Sequence, residues 1–363
     1  MSDAEVAIIG GGPAGTAAAI ALARAGRRVL LLERDAAPRE VVCGEFLGPD
    51  AAAALARLGF DLPALGAVPL RRLRLAAGRR ETLLDLPFPA WGLPRRVLDG
   101  ALRMAARAAG ARLCSGATVR GAVPEGAGWR ARLAAGQVAA PRLVLATGKH
   151  ALRGHPRASA PAGWLGLKLH LRVPDAGPEV VLLPFPGGYA GLLPLPGGGA
   201  NLCAALHGAA ESAARDAAAL LARVSEGSAL AARLLRDACP AWRRPLAIGA
   251  VPYGFRHRPT ASLPGLFRIG DQASVIPSFA GDGVAMALLS GLAVAEALGA
   301  GQESASFHAA WRRFSAGPMR WAGAGAWLLR HAPGGFVAAG AIRPAARLIA
   351  RRTRMVPPAA TTA

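Results

Sequence analysis

The sequence predicts an α/β fold in which a mostly parallel sheet is interleaved with an antiparallel one and followed by a helical C-terminal segment. Three observations carry that expectation. The opening residues read as strand, tight glycine turn, helix and strand; residues 164–206 switch to short apolar strands separated by Pro and Gly clusters; and from residue 303 onward the pattern is helical.

The first strand is Glu5 to Ile9, and it runs into Gly10-Gly11-Gly12-Pro13-Ala14-Gly15 and an alanine-rich helix. The spacing Gly10-x-Gly12-x-x-Gly15 supplies a glycine for the turn, one that admits a pyrophosphate to the backbone, and one for close helix-to-strand packing. Pro13 and Ala14 open a helix whose free N–H groups and positive dipole end suit that anion. The second strand, Val29 to Leu32, ends at Glu33 and Arg34, about 20 residues on, where a carboxylate accepts hydrogen bonds from ribose hydroxyls. Together these make a βαβ dinucleotide-binding unit of the Rossmann type.

Val41-Val42-Cys43-Gly44-Glu45 forms a loop held between this unit and a helix from Asp50 to about Leu58 that stops at Gly59. Leu70–Leu75 and Thr82–Leu86 read as a hairpin across Gly78, and a helix follows Arg95 to Gly110. Short strands are expected at 111–114, 118–123, 129–133 and 142–145, the last delivering Ala146-Thr147-Gly148. The antiparallel sheet then takes 165–173, 179–183, 189–193 and 201–206, two helices occupy 210–238, and residues 246–251 lead back to the first domain. A strand ending in Gly270-Asp271 precedes a helix from Gly281 to Leu298. The expected division is 1–69, 91–160 and 245–302 as a discontinuous cofactor domain, 70–90 and 161–244 as a substrate domain, and 303–363 as C-terminal helices.

Composition narrows the class. The net charge of +21 comes almost wholly from arginine, Lys149 and Lys168 being the only lysines, and no nucleic-acid motif accompanies it, so nucleic acid is not expected as a partner. Cys43, Cys114, Cys203 and Cys239 have neither metal-ligand nor redox-pair spacing, so no metal is expected. The charge-free run between Asp282 and Glu296 is well short of the roughly 20 residues that cross a bilayer, and no leader pattern is seen, so cytoplasmic residence is expected. Arginines mixed with Trp311, Trp321, Trp327 and Phe336 suggest peripheral contact with the inner face of a membrane.

Gly270-Asp271 followed by Gly281-Asp282-Gly283, together with the N-terminal glycine motif, resembles the FAD-dependent superfamily of p-hydroxybenzoate-hydroxylase-like monooxygenases and geranylgeranyl reductases. The resemblance implies FAD held by Gly10, Gly12 and Gly15 at the pyrophosphate, Glu33 at the adenosine ribose, and Asp271 at the ribityl chain. It implies an Arg95-x-x-x-Asp99 helix start against the cofactor and Ala146-Thr147-Gly148 beside the adenosine. Gly281 and Gly283 would present backbone N–H groups to the flavin pyrimidine edge. Cys43-Gly44-Glu45 resembles the loop that the reductases place beside the isoalloxazine. Thr147, where the monooxygenases carry Asp, and Ser274, where they carry His, leave NAD(P)H open as electron donor.

The expected catalytic candidates are Cys43; Glu45, as an acid of raised pKa; Lys168 and His170, on the polar face of their strand; and Tyr189, in a glycine-flanked strand. Hydroxylation of a small lipophilic aromatic or polyketide-type substrate is preferred. Reduction of carbon–carbon double bonds is the alternative, and a non-catalytic flavin-binding partner the third reading.

Overall fold

The computed structural model describes residues 4–157, 163–173 and 177–355. The expected boundary near residue 160 and the last eight residues assigned to the C-terminal segment lie outside the described residues.

Five strands form the parallel sheet, in the order Leu266–Arg268, Arg142–Leu145, Val6–Ile9, Val29–Glu33 and Arg112–Ser115. The strands Val6–Ile9 and Val29–Glu33 are buried along their whole length, which is why they read as unbroken apolar runs rather than as alternating ones. Helix Pro13–Arg24 packs against helix Gly283–Gly299, and Gly291 permits it: a Cβ there would lie 2.4 Å from the Ala14 carbonyl oxygen. Helices Pro49–Arg57 and Arg95–Ala108 complete that side, and Asp282 precedes the long helix as its N-cap residue.

The second sheet has nine strands, eight of them on its main path, and is antiparallel except where Glu179–Phe185 runs parallel to Val68–Ala77. The hairpin Val68–Ala77 with Arg80–Gly92 therefore leaves the first domain and joins the sheet built from residues 164–206. Leu246–Val251, expected in the cofactor domain, instead pairs antiparallel with Trp164–Arg172 and belongs to this sheet. A short strand, Phe46–Leu47, pairs with the end of the hairpin at Trp91 and Gly92, so the Cys43 loop arrives on the seam between the sheets. A third sheet of three strands includes Gln137–Ala140, an element that its short side chains conceal in the sequence.

Beyond residue 303, four helices follow among the described residues, Ser304–Phe314, Ala316–His331, Pro333–Ala341 and Arg343–Arg352. Pro333–Ala341 lies on the hairpin, where Gly340 lets it approach so closely that a Cβ would meet the Leu75 side chain at 2.6 Å.

Candidate functional site

A cavity of about 1020 Å³ lies on the seam, walled by both large sheets and by the C-terminal helices. At one end stands the glycine turn. Gly10 has φ +112°, and a Cβ on it would lie 2.3 Å from the Ala146 carbonyl oxygen, so only glycine fits. A Cβ on Gly15 would lie 1.9 Å from the Gly10 carbonyl oxygen, which makes Gly15 a packing glycine behind the cavity wall rather than a lining one. Gly12 is different. Its Cβ would point into the cavity, with Arg95 Nη2 the nearest group at 3.8 Å.

Glu33 closes the strand end, 7% exposed, and both its oxygens are held: the Gly11 N–H donates to Oε2 at 2.6 Å and the Asp35 N–H to Oε1 at 2.8 Å. Arg103, which the sequence reading missed, sits 3.5 Å from Glu33 and donates to the Gly11 carbonyl at 3.1 Å, bracing the acid against the turn. Arg95 makes a two-pronged pair with Asp99, at 2.9 and 3.0 Å, across one turn of helix. Burial disfavours its charge, but Asp99 and the Cys43 thiol beside it outweigh this and raise its pKa. Pro13, Ala14, Arg34, Gly44, Thr147, Gly148, Gly270, Asp271, Gly281 and Gly283 also line the cavity. Lys149 lies 3.4 Å from Asp271, and Ser274, where a histidine is usual, accepts from Trp311 Nε1 at 3.1 Å.

These residues fit FAD. Gly12 leaves the space a pyrophosphate needs, the fixed guanidinium of Arg95 faces that space, and Glu33 offers its carboxylate at the rim. Gly281, with φ +75°, is pressed against Phe46, where its Cβ would fall 2.6 Å from the ring.

The Cys43 loop forms one wall. Glu45, 1% exposed, has φ +62°, a left-handed conformation rare for a residue with a side chain. Its Oε1 accepts from the Arg95 N–H at 2.7 Å, capping the helix that begins there, and from Lys168 Nζ at 2.6 Å. The expectation of a raised pKa is corrected here. Burial pushes Glu45 up, but His170 and Lys168 more than offset it, so the carboxylate is held below its ordinary value and stays ionised. Glu45 caps and anchors; it holds no proton to give.

Lys168 and His170 do not line the cavity. Their face of the strand is covered by the loop itself. Lys168, fully buried, bonds Glu40 at 2.7 Å as well as Glu45, and His170 stacks on Trp242 at 4.8 Å. The alternation along the strand gave the face correctly but could not say what covers it.

Tyr189 does line the cavity, in the part walled by the antiparallel sheet. Its Oη lies 2.8 Å from Ser278 Oγ, which accepts a hydrogen bond from Tyr253 Oη at 2.9 Å. Burial, and then its neighbour Tyr253, push the Tyr189 phenol well above its ordinary range, and burial likewise raises Tyr253, so both are neutral donors. Around them stand Leu73, Leu75, Leu84, Leu182, Phe279 and Phe336, an apolar chamber closed by the C-terminal helices. Ser278, Tyr253 and Phe336 come from distant segments, and only the scarcity of tyrosine in the chain, two in all, could have drawn attention to Tyr253. Among the described residues no helix is long and apolar enough to cross a membrane.

Residues 5–38 match the family described as FAD dependent oxidoreductase. A menaquinone reductase of Mycobacterium tuberculosis (strain ATCC 25618 / H37Rv) is 40% identical over 119 residues, 31% of this chain and 29% of that protein. Squalene epoxidase 6 of Arabidopsis thaliana is 39% identical over 88 residues, 24% of this chain and 17% of that protein. Both matches span well under half the length of the curated relative. Among solved structures, a triple mutant of the flavin-dependent brominase Bmp2 superposes with a TM-score of 0.81 at 20% identity, covering 95% of this chain and 93% of that one. A geranylgeranyl bacteriochlorophyll reductase-like protein from Thermoplasma acidophilum gives 0.73 at 18% identity, covering 98% and 94%. The match to the FAD dependent oxidoreductase family is thus confined to the dinucleotide motif of residues 5–38, while the fold of nearly the whole chain is shared with these solved structures.

Proposed function

We propose that this flavoprotein is a reductase of a lipophilic, menaquinone-like substrate, which it takes into the apolar chamber beside the Cys43 loop. One observation carries the reading. The cavity that begins at the dinucleotide cradle continues without a break into a chamber of leucine and phenylalanine whose far end presents the hydroxyls of Tyr189, Ser278 and Tyr253. The partial identity to a menaquinone reductase supports the same substrate class.

FAD, when bound, supplies the hydride chemistry. The protein's own residues do the rest. Gly10, Gly12 and Glu33 would hold the cofactor's adenosine-diphosphate half, and Arg95, locked by Asp99, would balance its charge. The leucines and Phe336 exclude water and align an apolar chain by shape. Tyr189 Oη, connected through Ser278 to Tyr253, holds a proton at the chamber wall, where it can hydrogen-bond a substrate oxygen or give that proton to the carbon that does not receive the hydride. NAD(P)H is the proposed source of electrons.

The test is anaerobic mixing of the reduced holoprotein with menaquinone, followed by mass analysis. A product heavier by two hydrogens, with the flavin reoxidised, is expected. A product carrying added oxygen, formed only in air, would overturn the reading in favour of oxygenation, the second reading, which the local identity to a squalene epoxidase supports.

A lipophilic substrate also favours peripheral docking on an anionic bilayer. Exposed Trp327 and Leu348 lie in the C-terminal helices, and exposed Ile342 between two of them, with the exposed arginines Arg347, Arg351 and Arg352, a composition that suits such a surface. Co-sedimentation with anionic vesicles at low salt that fades as salt screens the charge is expected; no binding at low salt would remove this part of the proposal.

A further inference from the structure

The loop at residues 40–45 stands against the cavity with no strand or helix of its own, and one of its residues, Glu45, is in a left-handed conformation that costs about 1–3 kcal/mol. Something outside the loop holds it there. Two buried side chains of the antiparallel sheet do so from beneath. Asn201 Nδ2 donates to the Cys43 carbonyl at 3.0 Å, and Lys168 Nζ donates to Glu40 at 2.7 Å and to Glu45 at 2.6 Å. Glu45 in turn accepts from the N–H of Arg95, whose guanidinium neighbours the Cys43 thiol.

The three groups Glu40, Glu45 and His170 lie close enough to bind a cation, but the Lys168 ammonium already bonds both carboxylates and serves as that cation. A buried ion pair is a poor way to gain stability, since well-packed apolar residues of similar volume often do as well or better. What it does supply is direction, because an ammonium between two carboxylates fixes both. Retaining a fully buried lysine at this point therefore indicates a positional role.

We propose that Lys168 is a positioning residue: acting through Glu45, it sets the Cys43–Glu45 loop against the cavity and keeps the Cys43 thiol beside Arg95. The consequence for turnover rests on the reductase reading given above, whereas the placement of the thiol does not.

The test uses the full-length holoprotein and measures alkylation of Cys43 by N-ethylmaleimide, located by peptide mass spectrometry with Cys43→Ser as the blank, beside FAD content, kcat and KM. Lys168→Met removes the cation that Glu40 and Glu45 share, so the double variant Lys168→Met with Glu45→Gln is made as well, which neutralises the fully buried carboxylate and leaves only Glu40, half-buried and 3.6 Å from Arg96. Both are expected to retain FAD, to alkylate Cys43 about tenfold faster or more, and to lose about tenfold or more in kcat with little change in KM. Lys168→Arg should recover part of both losses. Alkylation within about twofold of the wild type in a folded variant would overturn the proposal. So would failure of both Lys168→Met variants to fold, since the lysine would then be structural. A wild-type protein that binds no FAD and reduces nothing defeats the functional reading instead, and the thiol measurement still decides the role of Lys168.

Discussion

The two ends of the cavity are made of different materials. At the dinucleotide end the wall is backbone: Gly10 lies against the Ala146 carbonyl, Gly15 against Gly10, and the side chains that matter, Glu33 and Arg95, are pinned by partners. At the chamber end the wall is side chain: leucines, Phe279, Phe336 and three linked hydroxyls. A backbone wall has little slack, because adding a methyl group at Gly10 or Gly15 displaces main chain. A side-chain wall can be recut one residue at a time while the first end stays as it is. A scaffold of this kind keeps its cofactor and changes its substrate.

The sharpest way to break the comparison is at the glycines. Gly15→Val is expected to abolish folding, because its Cβ would meet the Gly10 carbonyl oxygen at 1.9 Å. Gly12→Val has room for its Cβ and should fold with a near-native melting temperature, yet lose FAD affinity by about 100-fold or more, since the side chain fills the phosphate space. Flavin absorbance after gel filtration checks both. Stoichiometric FAD in the Gly12→Val protein would remove the assignment of this end.

Glu33→Ala should cost about 10- to 100-fold in FAD affinity, read by fluorescence titration, because two hydrogen-bonded carboxylate oxygens are lost from the rim. At the other end Tyr189→Phe should leave FAD binding unchanged and lower kcat by about tenfold, within the range for one placed donor. Equal loss of flavin from both variants would mean that the two ends are not separable.

How far each end could be read beforehand follows from the same contrast. Gly10, Gly12, Gly15 and Glu33 act within one βαβ unit, so their spacing in the chain is their geometry, and Arg95 with Asp99 is a single helical turn. Tyr189, which lines the cavity, stands out locally through its glycine-flanked strand. Ser278, Tyr253 and Arg103 reach their places by tertiary packing, and no local spacing records that. Lys168 and His170 show the limit most clearly: alternation put them on one face, and only the fold shows the Cys43 loop lying over it. Leu246–Val251 was misplaced for a related reason, since an apolar strand does not state which sheet edge it will join.

The smallest expected effect concerns pH. Glu45 has a folded pKa below its ordinary 4.5, so the folded state binds fewer protons than the unfolded one near that value. The stability it contributes is present above pH 4.5 and is lost as pH falls through the lowered folded value. Urea unfolding should therefore show wild type and Glu45→Gln differing more at pH 7 than under acid conditions. A difference that grows on acidification would reverse the assigned direction.

The parallel junction between the hairpin and Glu179–Phe185 has a consequence for how the chain reaches its native state. Arg74 is joined to Glu179 across 105 residues of sequence, while the segments on either side of the hairpin belong to the other sheet. The second sheet is completed by a hairpin carried between segments of the first, which ties the two sheets into one cooperative unit. Pairings of such long range are slow to form because the loop must be closed before any contact rewards it. A fragment ending at residue 157 would carry the whole glycine motif and still leave the Val68–Ala77 edge unpaired, a site for aggregation rather than a free-standing flavin domain.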